Sequence, residues 1–346
     1  MKEILKQLLS SRINQLLASG GILVLIFAAT FFIWWNKGVS FTIDNSDMIE
    51  QIDSNLPKSP ISGIGCENAG RRPMAVMLSS DQETRPLSGI GQADIIFEMP
   101  VTPDGITRMV AIYQCSSPDE IGSVRSARED FVPLAAGFGA VYAHWGGEKG
   151  ALDELNKHVI DNIDALKYEG TYYFRKKGIK PPHNGFTNLE QLWTAVDELK
   201  YDKKSSFIGY PHSIKKEAKN ITSLADSVSI DYPYPLNVIW AYDSENNKYK
   251  RTRGGTTEID KNDGMQVEVS VVAVMRTTQS YISKDYISVG VKGEGDLKIY
   301  QNGIVISGRW EKGDDLTDKL FFYDNNGKEI EFVPGRIWVE IVTNSL

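Results

Sequence analysis

From residue 61 to about 205, short apolar runs alternate with amphipathic stretches, the pattern of a mixed α/β domain. The apolar runs at 73–78, 93–99, 109–114 and 140–144 predict strands. The stretches 129–138, 151–157 and 189–199 predict helices, the last opened by Asn188 as its N-cap. Past residue 236 the texture changes to short runs at 237–242, 248–253, 267–276, 286–290, 297–301, 305–310, 320–323 and 337–342. Asn-Gly pairs at 302–303 and 326–327 mark turns between some of them. This part predicts a predominantly antiparallel β domain, as a curled sheet or partly open barrel. The expected organisation is an α/β domain over 61–205, a connector over 206–235 and a β domain over 236–346. A polar tether over 38–60, ending in Pro57 and Pro60, precedes them.

The N-terminus has a different pattern. No charged residue occurs between positions 13 and 36, and 16–35 is long and apolar enough to cross a bilayer as a helix. Trp34 and Trp35 stand at its end, where indole favours the headgroup region. Lys2, Lys6 and Arg12 precede it, which by the positive-inside rule keeps the N-terminus in the cytoplasm and the bulk of the chain outside. A cleaved signal peptide would end in small residues, whereas this run ends in Phe-Phe-Ile-Trp-Trp. Residues 1–37 are therefore expected to be an uncleaved, single-pass anchor in the cytoplasmic membrane.

The 346-residue chain carries a net charge of −7 with no basic stripe, which argues against nucleic acid as a partner. Its two cysteines, Cys66 and Cys115, both follow the anchor, and in an oxidising compartment they are expected to form one disulfide.

The chemistry concentrates in 121–148, where Arg125, Arg128, Glu129, His144, Trp145 and Glu148 surround short apolar runs. Arginines in a tight Ser/Gly turn suit a planar anion, and Arg108, Arg125 and Arg128 form the candidate clamp. The alternative is a helix cap plus surface ion pairs, because Ser126 and Glu129 fit a capping box. Pro133 moves the helix start later in that case. His144 is a candidate acid or base and Trp145 a stacking surface for a sugar; against this stands a histidine tied to a backbone carbonyl. Asp94 and Glu98 share a strand face about 13 Å apart, too far for a paired-carboxylate glycosidase, and either could instead neutralise Arg108 or Arg125. His183 and Asn184 end a basic loop and are ligand candidates, but two histidines make a weak metal site and none is expected. No serine, cysteine or phosphate-loop signature is present, and no cofactor is implied.

The motifs Arg85-Pro-Leu-Ser-Gly-Ile-Gly-Gln-Ala-Asp94, Gly105-Ile-Thr-Arg108, Ile121-Gly-Ser-Val-Arg-Ser-Ala-Arg128, His144-Trp-Gly-Gly and Pro182-His183-Asn184 together resemble the DUF3048 family of YerB-like bacterial envelope lipoproteins. Gly308-Arg-Trp310, Phe322-Tyr-Asp324 and Pro334-Gly-Arg-Ile-Trp338 resemble that family's C-terminal domain. The resemblance implies two domains held outside the cytoplasmic membrane and assigns no catalytic residue. Family members use a lipobox cysteine, whereas Cys66 lies well beyond the apolar run, so a transmembrane helix takes the lipid's place in this reading. The expected function is a binding module for an anionic cell-wall component or wall-synthesis partner. The alternatives are a glycan-cleaving enzyme, with Glu98, Glu129 or Glu148 as general acid and His144 assisting, and a scaffold that docks envelope proteins.

Overall fold

The computed structural model describes residues 55–214, 223–224 and 226–343. The expected membrane helix and most of the tether lie outside the described residues, and among the described ones no helix is long and apolar enough to cross a membrane.

The N-terminal half contributes β1 (Met74–Ser79), β2 (Ile95–Pro100), β3 (Thr107–Tyr113), β4 (Val141–His144) and β5 (Asn162–Asp164). Its helices are α1 (Val132–Gly137), α2 (Lys149–Leu155), α3 (Ala165–Tyr168) and α4 (Leu189–Glu198). The C-terminal half adds β6 (Ser227–Ile230), β7 (Val238–Asp243), β8 (Lys248–Arg253), β9 (Thr256–Thr257), β10 (Val271–Thr277), β11 (Gly293–Gln301), β12 (Ile304–Lys312), β13 (Phe321–Asp324) and β14 (Ile337–Thr343). The Asn188 side chain caps α4 by accepting from the Gln191 N–H, as its sequence position predicts. The expected helix at 129–138 splits. Glu129–Phe131 is a 3-10 turn, and α1 begins only at Val132 because Pro133 fits the first turn of a helix and not its interior. No side-chain capping bond forms at that turn; the Glu129 N–H donates to Glu148 Oε1 at 2.7 Å instead.

Sequence patterning gives two sheets of separate halves, but the described residues place strands of both halves in one. Its order is β13-β12-β11-β10-β14-β2-β3-β1-β4-β5, with Ser223–Leu224 beside β12. The join is the parallel pairing of β2 with β14, in register Ile95↔Ile337 to Glu98↔Glu340. Five residues of β14 in a row are buried, which suits a central strand between two neighbours, and it also pairs in parallel with β10. Among the described residues of the C-terminal half every strand pairing but β10 with β14 is antiparallel, so this half is predominantly antiparallel, as expected. A smaller sheet, β6-β7-β8-β9 with Glu268–Val269 beside β8, stands apart.

Strand alternation sorts the core into two layers. Ala75, Met77, Phe97, Val110, Ala273 and Val339 face one side, covered by Val132, Leu134 and Ala135 of α1. Met74, Val76, Ile96, Ala111, Val272 and Trp338 face the other, covered by Leu192 and Val196 of α4 and by Val238, Trp240 and Tyr249 of the small sheet. The segment 206–214, expected as connector, contributes Tyr210 to the first layer, between Phe322 and Phe332.

Between the large and small sheets lies a buried ionic cluster. Glu98 of β2 accepts from Arg251 Nη2 at 2.6 Å, Arg253 Nη1 at 2.7 Å and Arg253 Nη2 at 2.6 Å. Glu258 takes Arg251 Nε at 2.6 Å, and Glu340 Oε1 takes Arg251 Nη1 at 2.6 Å and Trp240 Nε1 at 2.9 Å. The Arg251 guanidinium carbon lies 3.8 Å from the centre of the Trp338 ring. Asp260 adds a second tie between the halves, accepting from the Gly89 and Gly91 N–H groups at 2.9 and 2.7 Å.

Cys66 and Cys115 are joined with Cα atoms 5.6 Å apart, closing a loop over a sequence separation of 49. A Cys66→Ala/Cys115→Ala chain is expected to lose about 4 kcal/mol by the chain-entropy relation, read by urea denaturation with the midpoint lowered and the slope somewhat steeper, because the unfolded chain freed of its loop exposes more surface.

Candidate functional site

β1 and β4 run parallel and end at Ser79 and His144, the kind of strand ends where α/β sheets hold ligands. The segment 123–128 is laid across these ends by backbone bonds. On one side the Ser79 N–H donates to Ser123 O, and the Arg125 N–H to Met77 O. On the other, the Trp145 N–H donates to Arg125 O and the Ala127 N–H to Gly146 O. Arg108 arrives on β3, opposite Ser79.

These elements bring Arg108, Arg125 and His183 to one carboxylate, Asp81. Arg108 Nη1 lies 3.3 Å from Asp81 Oδ1, Arg125 Nη2 3.1 Å from Oδ2, and His183 Nδ1 3.7 Å from Oδ2. Ser79 Oγ donates to Asp81 at 2.7 Å, and Arg125 Nη1 donates to Pro182 O at 3.2 Å, which ties the 182–184 loop to the site. Arg128 stands at the flank. Its Nη1 donates to Ala127 O at 3.0 Å, its Nε is 3.8 Å from Glu148, and its guanidinium carbon sits 5.0 Å from the centre of the Tyr286 ring.

Burial disfavours the charge of Asp81, yet Arg108, Ser79 and Arg125 hold its pKa below the usual carboxylate range. Burial lowers Arg108 to about 10, with Asp81 opposing and the repulsion of Arg125 and Arg128 adding to the shift. The three arginine side chains are only 9, 13 and 12% exposed, so water does little to relieve that repulsion. The Nε groups of Arg108 and Arg128, Nδ1 of His183 and Oγ of Ser123 are buried without a hydrogen-bond partner. Arg108 and Arg125 share the Asp81 carboxylate, Arg128 stands beside them near Glu148, and Arg108 and Arg128 each keep a buried Nε without a hydrogen-bond partner. Such an arrangement is short of negative charge and suits an incoming anion.

The other predicted residues are placed elsewhere or already occupied. His144 is fully buried; Nδ1 contacts Gly146 O at 2.8 Å and Nε2 contacts Asn162 Oδ1 at 3.2 Å. Burial lowers its pKa, so it is a neutral ring tied to a carbonyl, the structural alternative anticipated for it. Trp145 is covered by Arg175 at 4.3 Å, and the Gly185 backbone lies so close that a Cβ there would stand 2.4 Å from the ring. Asn184 Oδ1 accepts from Arg175 Nη1 at 2.8 Å, within that same packed corner. Glu129 and Glu148 do meet, through the Glu129 N–H, whereas Glu98 lies in the core cluster. Among the described residues Asp94 pairs with no arginine; it accepts from Ser62 Oγ and from the N–H groups of Gln114 and Cys115 beside the disulfide. The arginine partners foreseen for Asp94 and Glu98 were Arg108 and Arg125. Those two go to Asp81, and Glu98 is matched by Arg251 and Arg253. Among the described residues no group of three or more His, Cys, Asp or Glu is placed to hold a metal ion.

Four residues that matter escaped the sequence reading. Asp81 follows Ser79-Ser80 just past a strand, a position that signals a strand-end site. Arg251 and Arg253 alternate with polar partners in Lys-Tyr-Lys-Arg-Thr-Arg, and period two puts both on the face of Tyr249, which is inward. Asp130 accepts from Ser288 Oγ at 3.0 Å and the Val289 N–H at 2.6 Å, fastening the 279–289 hairpin of the C-terminal half beside the arginine cluster.

Comparison with known proteins agrees with this architecture. A family model described as "Protein of unknown function (DUF3048) N-terminal domain" matches residues 61–202, and its C-terminal counterpart matches 228–339. A curated protein of Bacillus subtilis (strain 168), "Putative lipoprotein YerB", is 28% identical over 293 residues, which is 82% of this chain and 86% of that protein. The crystal structure of YerB protein from Bacillus subtilis aligns with a TM-score of 0.75 at 28% identity, covering 84% of this chain and 97% of that one.

Asp130 supplies a pH test. Burial raises its pKa to about 6, against about 4 for an unperturbed aspartate. A raised folded-state pKa gives stability that is complete below pH 4 and lost as pH rises through 6. The stability of the wild type relative to Asp130→Asn should therefore fall by up to about 2–3 kcal/mol from pH 4 to pH 7, measured by denaturant titration at each pH. A constant difference would contradict the assignment.

Proposed function

Because the chain belongs to the DUF3048 family through both its N-terminal and C-terminal domains, we propose that it is a membrane-attached envelope protein that binds an anionic cell-wall component. The observation that carries this reading is the pair Arg108 and Arg125 on Asp81 with Arg128 beside them, the Nε groups of Arg108 and Arg128 being buried without a hydrogen-bond partner. A carboxylate or phosphate on a wall polymer would complete those donors and relieve the repulsion among the three cations. Attachment is assigned to the apolar run 16–35, and the name of the Bacillus subtilis relative supports a place at the membrane surface.

Binding is favoured over glycan cleavage by the state of the carboxyls. Glu98 is enclosed by two arginines that hold it ionised, the opposite of what a general acid requires. Glu148 is engaged by the Glu129 N–H and lies near Arg128.

In a pelleting assay with purified cell wall, Arg125→Ala/Arg128→Ala is expected to weaken binding about 100-fold, from about 1.5 kcal/mol for each charged contact removed. Binding by the wild type should also weaken as salt is raised. Unchanged pelleting by a folded double variant would sink the proposal. Soluble glycan fragments in the same tube would replace it with the cleaving enzyme, and Glu129 and Glu148 would be tested next.

A further inference from the structure

A cavity of about 300 Å³ opens where the two halves meet, between the turn Gln82–Thr84 and the hairpin of β8 and β9. Arg85, the first residue of the motif that carries the family resemblance, stands in its wall. Its guanidinium bonds to backbone carbonyls: Nε and Nη2 to Ser80 O at 3.3 and 2.9 Å, and Nη1 to Pro235 O at 3.2 Å. These bonds orient the group without neutralising it. The nearby carboxylate, Glu258, is already shared by Arg251 Nε at 2.6 Å and by Arg253 Nε at 3.1 Å. Glu258 and Arg253 also line the cavity, but both oxygens of Glu258 are taken by Arg251 and Arg253, and among the described residues Arg85 has no ion pair of its own.

Two further features define what would fit. Pro86, Leu87 and Ile259 supply an apolar wall. Thr256 and Thr257 line the rim and are exposed, and they form β9, which pairs only with β8 among the described residues. An edge strand offers unpaired N–H and C=O groups to an extended chain. Edge strand, apolar wall and fixed arginine together match the way a peptide end is captured by strand addition. The volume is at the lower end of small-ligand sites, and such sites favour the junctions between domains.

We infer that this cavity binds the C-terminal end of an extended peptide, its backbone added to β9, its last side chain against Leu87 and Ile259, and its carboxylate paired with Arg85. This site is separate from the Asp81 arginine cluster and goes beyond the proposed function.

The test is calorimetric titration of the full-length chain with N-acetyl-Ala-Ala-Leu, as the free acid and as the C-terminal amide. The acid should bind at least about tenfold more tightly than the amide, since the amide keeps the shape and loses the charge. Arg85→Gln should erase that preference, and Arg125→Ala/Arg128→Ala should leave it intact, which separates this site from the wall-binding one. Equal affinities for acid and amide, no binding of either at millimolar concentration, or a preference that survives Arg85→Gln would overturn the inference. The acid-versus-amide comparison needs no variant, so it decides the matter even where Arg85→Gln does not fold.

Discussion

The parallel pairing of β2 with β14 puts two glutamates side by side in a dry layer, and the rest of the molecule is arranged to make that tolerable. Glu98 and Glu340 are register partners, both fully buried and both facing the small sheet. Two carboxylates in low dielectric repel each other and each forfeits several kcal/mol of hydration. Arg251 and Arg253 answer them, held in turn by Glu258. Burial works against the charge of Glu98, but Arg253 and Arg251 prevail and hold its pKa down. Glu258 falls to about 2 for the same reason. Burial and the charge of Glu98 push Glu340 upward against Arg251, and its Oε2 has no hydrogen-bond partner. The cluster uses strands from both halves, so neither half contains a complete set of charges.

That constraint sets the position of everything functional. β14 extends the order β2-β3-β1-β4 on its β2 side, and the small sheet packs over it. The ends of β1 and β4 then meet the segment 123–128, and Arg108 comes level with Ser79. The same packing places β9 beside Arg85. Polar links run between the two regions: Thr107 Oγ1 donates to Glu98 at 2.5 Å, and Ser80 Oγ donates to Thr107 O at 2.6 Å, one residue before Asp81.

Much of this was legible along the chain, and the failures have physical causes. Apolar runs located β1 to β4, and the Asn188 cap located α4, because strand alternation and capping are local effects. Arg125 and Arg128 could be singled out as candidates from residue type and spacing, whereas Asp81, which takes Arg108 and Arg125, could not. What could not be read was pairing at long range. Residues 337–342 were visible as a strand, but their central place between β10 and β2 depends on partners more than sixty and two hundred residues away. Glu98 was seen as a possible acid because its matching cations, Arg251 and Arg253, lie in the other half. His144 and Trp145 were read as exposed chemistry because the carbonyl, the arginine and the glycine that occupy them come from separate loops.

The most direct test of the central claim is urea denaturation of Glu98→Gln followed by two probes at once. One is the fluorescence of the tryptophans, among them Trp240 and Trp338, which pack around Arg251. The other is amide exchange in β1 and β3, which belong wholly to the N-terminal half. If the buried cluster joins the halves, both probes report a single transition, shifted down by about 3–5 kcal/mol because Arg251 and Arg253 are left uncompensated. Unchanged midpoints for both probes would show that the halves are held together by something other than this cluster.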